Sequence, residues 1–303
     1  MSLYTHIESN KRRSLFLMIL VIAGVITVVA MYSYWMRGDL FLPFVAAIFA
    51  IPSSLIGYYS GDKIALLTNK AEALPDEEAP DVHNLVENLA MTAGIPKPKI
   101  YTINSPALNA FATGRDPEHA SIAVTTGLLQ NLNHTELEGV IAHELSHIQN
   151  YDIRFGTIVA IFVGFVTILA DLFLRASWFG GGMRSRDNDR NNNQLSALLA
   201  VVGFVLLILS PIITRIIQLA ISRNREYLAD ASGALLTRYP EGLASALEKI
   251  AASSPLKTAG HATAHLYIAN PFKPKSIANL FATHPPLEDR IRRLRERRET
   301  SRS

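Results

Sequence analysis

The sequence predicts an α-helical membrane protein that carries a mixed α+β domain on one side of the bilayer, and three observations predict it. The chain has 303 residues and is 49% hydrophobic, too apolar for an ordinary soluble domain and long enough for membrane spans plus one domain. About four uncharged segments alternate with stretches of soluble composition. Inside one of those stretches, His143-Glu144-Leu145-Ser146-His147 sets two histidines four apart within a helical apolar pattern. Net charge is only +3, with the basic excess confined to short stretches, so nothing indicates a nucleic-acid groove. Cysteine is absent, which excludes a disulfide framework and any thiolate metal site.

The first unit, 1–61, is a hydrophobic hairpin. Leu15 to Met36 is uncharged, and its length of about 22 residues exceeds the roughly 20 that a spanning helix needs. Lys11-Arg12-Arg13 before it also fits a secretory signal, but the apolar region is too long and Val28-Val29-Ala30 is a weak cleavage site, which favours an uncleaved anchor. Leu40 to Gly61 is a second uncharged run after the short turn Arg37-Gly38-Asp39. Three cations before the first run against one in the turn place the N-terminus, and the chain after Asp62, in the cytoplasm.

The second unit, 62–154, reads as soluble. Pro80 to Ala93 has helical spacing, Pro80 suits a first turn and Gly94 a C-terminal stop. Lys99 to Ile103 and Ser121 to Thr125 are strand patterns, with the small-residue stretch Ala107 to Gly114 between them. The motif helix is expected to open at Thr135, where Thr135-Glu136-Leu137-Glu138 has capping-box spacing. Its apolar stripe of Leu137, Val140, Ile141, Leu145 and Ile148 leaves His143, Glu144 and His147 on an adjoining face. A small sheet feeding such a helix is the layout of a zincin.

The third unit, 155–214, is a second hydrophobic hairpin. Phe155 to Ala170 gives about 24 Å of helix against a hydrocarbon core of about 30 Å, a marginal span, whereas Leu195 to Thr214 is better. The loop between them carries Arg184, Arg186 and Arg190 against Asp187 and Asp189, a mild conflict with the positive-inside rule that leaves open a shallow or protein-facing hairpin. The fourth unit, 215–303, is helical and loop-like. It ends in a basic amphipathic helix with apolar positions Leu287, Ile291 and Leu294, either packed on the domain with a solvated face or touching anionic lipid.

Four-residue helical spacing lets His143 and His147 offer two imidazole nitrogens to one ion, with Glu144 beside it as a base. A catalytic zinc takes three protein ligands and keeps a fourth position open. Glu226 is the best third ligand, because Asp230 lies one turn further along the same face and can accept a hydrogen bond from a ligand histidine. Alone, that pair also reads as solvated charges near Arg223 and Arg225. His261 and His265 repeat the four-residue spacing, but without a carboxylate they make a poor metal pair. His284, in Thr283-His284-Pro285-Pro286, reads as a structural cap or as a contact for substrate or oxyanion. His147 and Glu226 flank the second hairpin and must reach one ion, so the chain between them crosses the membrane an even number of times. If the motif helix runs on into Phe155, His147 lies about 12 Å before that apolar run and Glu226 roughly 18 Å beyond Thr214, which puts the site within about 20 Å of the bilayer surface.

The combination of Asn109-Ala110-Phe111-Ala112-Thr113-Gly114, His143-Glu144-Leu145-Ser146-His147, Ser222-Arg223-Asn224-Arg225-Glu226-Tyr227-Leu228-Ala229-Asp230 and Thr283-His284-Pro285-Pro286 resembles the HtpX-type bacterial membrane proteases, relatives of the CAAX-prenyl endopeptidases. The resemblance covers nearly the whole chain. It implies a multi-pass inner-membrane protein with a cytoplasmic zincin-like α+β metalloprotease domain and one gluzincin-like Zn2+ site. It further implies that His143, His147 and Glu226 ligate zinc, that Glu144 is the base, and that Asp230 supports a ligand. Partners would be peptide and protein substrates, mainly membrane proteins, and the lipid bilayer. Asn109, Ala110, Phe111, Ala112, Arg223 and His284 are expected near substrate, the Ala107 to Gly114 stretch as an edge strand on which an extended peptide pairs. A role in stress or heat-shock quality control follows from the resemblance alone. Two other readings stay open: maturation of lipidated peptides, and a metal-binding membrane scaffold or chaperone, against which the intact Glu144 argues.

Overall fold

The computed structural model describes residues 3–36, 41–161, 223–256, 259, 263–271 and 285–300. Two long helices open the chain, α1 (Leu3–Met36) and α2 (Phe41–Thr68). They hold most of the first two uncharged runs, and several of their side chains lie outside the described set. Among the described residues, no helix is long and apolar enough to cross a membrane. The second hairpin, from residue 162 onward, lies outside the described residues, as does His284.

After α2 come β1 (Ala71–Ala73), α3 (Pro80–Ala93), β2 (Lys99–Ile103), β3 (Ala110–Gly114), β4 (Ala120–Thr125), the short α4 (Thr126–Asn131) and the motif helix α5 (His134–Gln149). A further helix, α6 (152–161), follows at once. Past the undescribed stretch lie α7 (Arg223–Thr237), α8 (Pro240–Ala252) and α9 (Leu287–Thr300).

Local chemistry accounts for the boundaries of α3. Pro80 sits in the first turn, and Gly94 takes the left-handed conformation at φ 69°, returning its N–H to Met91 and that of Ile95 to Ala90. The capping box of α5 is built differently from the expectation. Asn133 is the cap: its side chain accepts from the Glu136 N–H while Glu136 accepts from the Asn133 N–H, two residues before Thr135. Nor does α5 run straight into Phe155. Tyr151, at φ 59°, breaks the helix between α5 and α6.

The four strands lie in the order β1-β2-β4-β3. β2 and β4 are parallel, with Tyr101 opposite Ala123, and β3 runs antiparallel to β4, with Ala112 opposite Ile122. One sheet face joins α3, α5 and α8 in a core that includes Ile100, Ala112, Ile122, Val124, Val140, Leu145 and Leu247. The other face holds Ile103, Phe111, Ala123 and Tyr267 against Ala65 and Leu66 at the end of α2. The first hairpin is therefore packed onto the back of the same sheet that supports the motif helix.

Candidate active site

The apolar stripe of α5 is buried in the main core, and His143 and Glu144 go under with it, at 0% and 1% exposure. α7 crosses close by at Gly233, where an added Cβ would stand 3.0 Å from the His143 backbone nitrogen. That approach sets Glu226 beside both histidines and Asp230, one turn further along α7, beside His143.

The nitrogens Nε2 of His143 and His147 lie 3.2 Å apart. Glu226 places Oε1 3.6 Å from His147 Nε2 and Oε2 3.8 Å from His143 Nε2. Ligand atoms about 2.0 Å from a tetrahedral ion stand about 3.3 Å from one another, so this triangle fits one metal ion with little adjustment. The donor set, two imidazoles and a carboxylate, is one that zinc accepts.

Each histidine is steered by a carboxylate on its other nitrogen. His143 Nδ1 is 3.0 Å from Asp230 Oδ1, and His147 Nδ1 is 3.0 Å from Asp152 Oδ2. Both Nε2 atoms are thereby directed at the same point. Asp230 is gripped in turn by Arg290 of α9, whose Nη2 and Nε donate at 2.6 and 2.8 Å. The same guanidinium gives a third bond to Ile268 O at 2.7 Å and stands 3.5 Å from Glu226 Oε2.

Burial separates the acidities of these groups. It carries Glu144 up to about 7, with Glu226 adding to the rise and the His147 charge opposing it. Burial takes His143 down to about 4 against the pull of Asp230. His147 rises to about 9 because its bond to Asp152 and the charges of Glu226, Asp152 and Glu144 together outweigh burial. Burial would raise Asp230, but Arg290 and His143 hold it well below the usual carboxylate range.

Glu144 lines a cleft with Ala112, His147, Phe155, Arg225 and Glu226. Its carboxylate makes no hydrogen bond of good geometry among the described residues, and its one close polar neighbour on the backbone is Ala112 of β3. The cleft is lined on one side by His265 to Ile268. Ile268 N donates to Ala110 O at 2.9 Å and Tyr267 faces Phe111 as an antiparallel bridge partner, so the outer edge of β3 is already partly paired. Thr263 and Tyr267 donate from their hydroxyls to Asn69 Oδ1, each at 3.0 Å, which ties this segment to the end of α2.

Of the residues expected near substrate, Ala112 faces the cleft. Asn109 is buried and spends its side chain on Ala269 O and the Ala110 N–H, while Phe111 packs under Tyr267. Ala110 is buried in the core, and Arg223 is exposed at the start of α7. His265, half of the rejected histidine pair, bonds Gly156 O at 2.9 Å. Two residues at the site were not foreseen from sequence, Asp152 and Arg290. Both carried a signal: Arg290 interrupts the apolar stripe of Leu287, Ile291 and Leu294, and Asp152 is an acid at the edge of an apolar run.

Comparison with known proteins agrees with this geometry. Residues 76–298 match peptidase family M48. A protease HtpX homolog from Caldanaerobacter subterraneus subsp. tengcongensis is 48% identical over 296 residues, covering 95% of this chain and 96% of its own. Another, from Thermoanaerobacter pseudethanolicus, is 51% identical over 250 residues, 82% of each chain. Among solved structures, S. mikatae Ste24p shares the fold at a TM-score of 0.50 and 20% identity, over 96% of this chain and 66% of its own. With a largely buried His-His-Glu triangle beside Glu144 and a family match over most of its length, the chain is a metalloprotease and belongs to peptidase family M48.

Proposed function

We propose that the chain is a membrane-bound zinc endopeptidase that hydrolyses peptide bonds of damaged or misfolded membrane proteins at the cytoplasmic face. The observation that carries the hydrolytic reading is the convergence of His143, His147 and Glu226 within 4.8 Å of one another, with the buried carboxyl of Glu144 alongside. In this reading His143, His147 and Glu226 hold zinc, and Asp230 orients His143. When bound, the metal supplies a Lewis acid that acidifies water and polarises the scissile carbonyl.

The chain's own groups do the rest. Glu144 takes a proton from the attacking water and returns it to the leaving amine, and a carboxyl held near 7 by burial suits both transfers. Burial favours the neutral, ligating form of His143, while His147, raised by Asp152 and the nearby carboxylates, has to give up its proton to ligate. Ala112 and the backbone of β3 offer an extended peptide a wall beside Glu144.

Membrane placement is supported by α1 and α2. Neither is long and apolar enough over its described residues to count as a span, but they expose Leu15, Phe16, Phe44 and Ile56 at 58%, 66%, 65% and 61%. Side chains of that kind are at home against lipid. With 1–61 and 155–214 as hairpins, 62–154 and 215–303 together form the cytoplasmic catalytic domain.

The test is to purify the full chain in detergent with chelator, restore zinc, and follow casein hydrolysis and self-cleavage. Activity is expected only after zinc addition and is expected to vanish in Glu144→Gln. Equal rates for the two proteins would overturn the mechanism.

A further inference from the structure

Asn10 lies on α1, before the first uncharged run, and is only 6% exposed. A buried amide in a helix interior is costly unless its donors are used, and this one uses both. Asn10 Nδ2 donates to Asn150 O at 2.9 Å and to Asp152 Oδ1 at 2.8 Å. The other oxygen of Asp152 accepts from His147 Nδ1 at 3.0 Å. A continuous relay thus runs from the first helix to a proposed metal ligand.

The Asn10 bond is the shortest polar contact of the Asp152 side chain among the described residues. That side chain is 9% exposed, and the cation beside Oδ1, Arg225 Nη1, pairs with it at the longer distance of 3.6 Å. With Oδ1 held by Asn10, Oδ2 is turned toward His147. Nearby contacts dock the helix without touching the relay: Lys11 Nζ sits 4.4 Å from the Tyr151 ring centre, and Leu17 packs with Phe155, Ile158 and Val159.

We propose that Asn10 is a positioning residue for the metal ligand His147, acting through Asp152, so that the N-terminal helix forms part of the metal site as well as anchoring the chain. The inference rests on the ligand set proposed above. Carboxylates that orient a ligand histidine change metal affinity by about 10- to 100-fold when removed. Asn10, one step further out, is expected to change it by about 3- to 10-fold.

The experiment uses the full chain in detergent with Glu144→Gln, which prevents self-cleavage, and reads zinc affinity by competition with a chromogenic chelator. His147→Ala is the control for the ligand set. If it bound zinc as tightly as the parent, that set would fail, and this inference with it. Given a large loss in His147→Ala, Asp152→Ala is expected to weaken zinc binding by about 10- to 100-fold. Asn10→Leu, which keeps the branched shape but removes both donors, is expected to weaken it several-fold. In the double variant the Asn10 change should add nothing, because the carboxylate through which it acts is gone. Lys11→Leu, which disturbs only the neighbouring docking contact, should leave affinity unchanged. Asn10→Leu binding zinc like the parent would overturn the proposal. So would losses that multiply in the double variant, or a Lys11→Leu loss equal to that of Asn10→Leu. Should Asn10→Leu fail to fold, Asn10→Ala and Asn10→Asp give the same cycle, with the aspartate, set against Asp152, expected to be the weaker binder.

Discussion

Arg290 and Asp230 form a two-point ion pair inside the protein, with Nη2 on Oδ1 at 2.6 Å and Nε on Oδ2 at 2.8 Å. Arg290 is fully buried, and Asp230 is 4% exposed and bonded in the same place to His143. The pair joins α9 to α7, and the third bond of Arg290, to Ile268 O, adds the segment over the cleft. One guanidinium near the end of the chain therefore holds the carboxylate that orients the first motif histidine.

Removing one member of such a pair leaves a buried charge uncompensated, at a cost of about 3–5 kcal/mol. Arg290→Ala is expected to lower the melting temperature sharply, and Arg290→Lys to recover only part of it, since an ammonium cannot make the two-point contact. A melting curve of Arg290→Ala that overlays the parent would show that the pair holds nothing together.

Gly233 is a second point of leverage. A Cβ there would meet His143 N at 3.0 Å and Ala142 C at 3.2 Å, backbone atoms in the middle of α5 that cannot swing aside. Gly233→Ala should therefore push α7 away from α5 and carry Glu226 off the histidines. Overpacking of this kind typically costs about 1–3 kcal/mol. Zinc affinity is expected to fall as well, and an unchanged affinity measured by chelator competition would mean that the two helices tolerate the shift.

Much of this arrangement can be read directly from the chain. The strands at 99–103 and 121–125 and the helix 80–93 carry local signals, period-two patterns, a first-turn Pro and a terminal Gly, and they form as those signals dictate. Glu226 and Asp230 were legible because helical spacing alone puts them on one face. Arg290 was hidden by its own composition, since a helix rich in Arg and Glu reads as solvated while one of its arginines occupies the apolar stripe. Asp152 reaches His147 only because Tyr151 turns the chain at φ 59°, a conformation that no local pattern predicts for tyrosine. The pairing of Ile268 with Ala110 links positions far apart in sequence, and neither neighbourhood announces it.

The cap of α5 gives a prediction confined to stability. Asn133 and Glu136 satisfy each other's backbone N–H groups, and Glu136 also accepts from Lys249 of α8 at 2.6 Å. Asn133→Ala should cost about 1 kcal/mol and lower the melting temperature by a few degrees. Because the cap lies more than two turns before His143, zinc stoichiometry should stay at one. Thr135→Ala, the position that the sequence pattern favoured, should have the smaller effect on melting.

The last prediction concerns access to the edge of β3. A peptide that pairs there has to take the place of the Tyr267 and Ile268 backbone, since Ala110 O already accepts from Ile268 N. The Phe111–Tyr267 bridge occupies the same edge, so a substrate that pairs with β3 needs that segment to move. The chain has no cysteine, and Ala110 and Ile268 oppose each other across the bond, where facing Cα atoms stand about 5.5 Å apart, within disulfide range. Ala110→Cys with Ile268→Cys should therefore give a switchable lock. Oxidised with diamide, which does not strip zinc, the protein should lose casein hydrolysis while keeping its zinc, and reduction should restore the activity. An oxidised lock that cleaves casein as fast as its reduced form would show that substrate reaches Glu144 without displacing this segment.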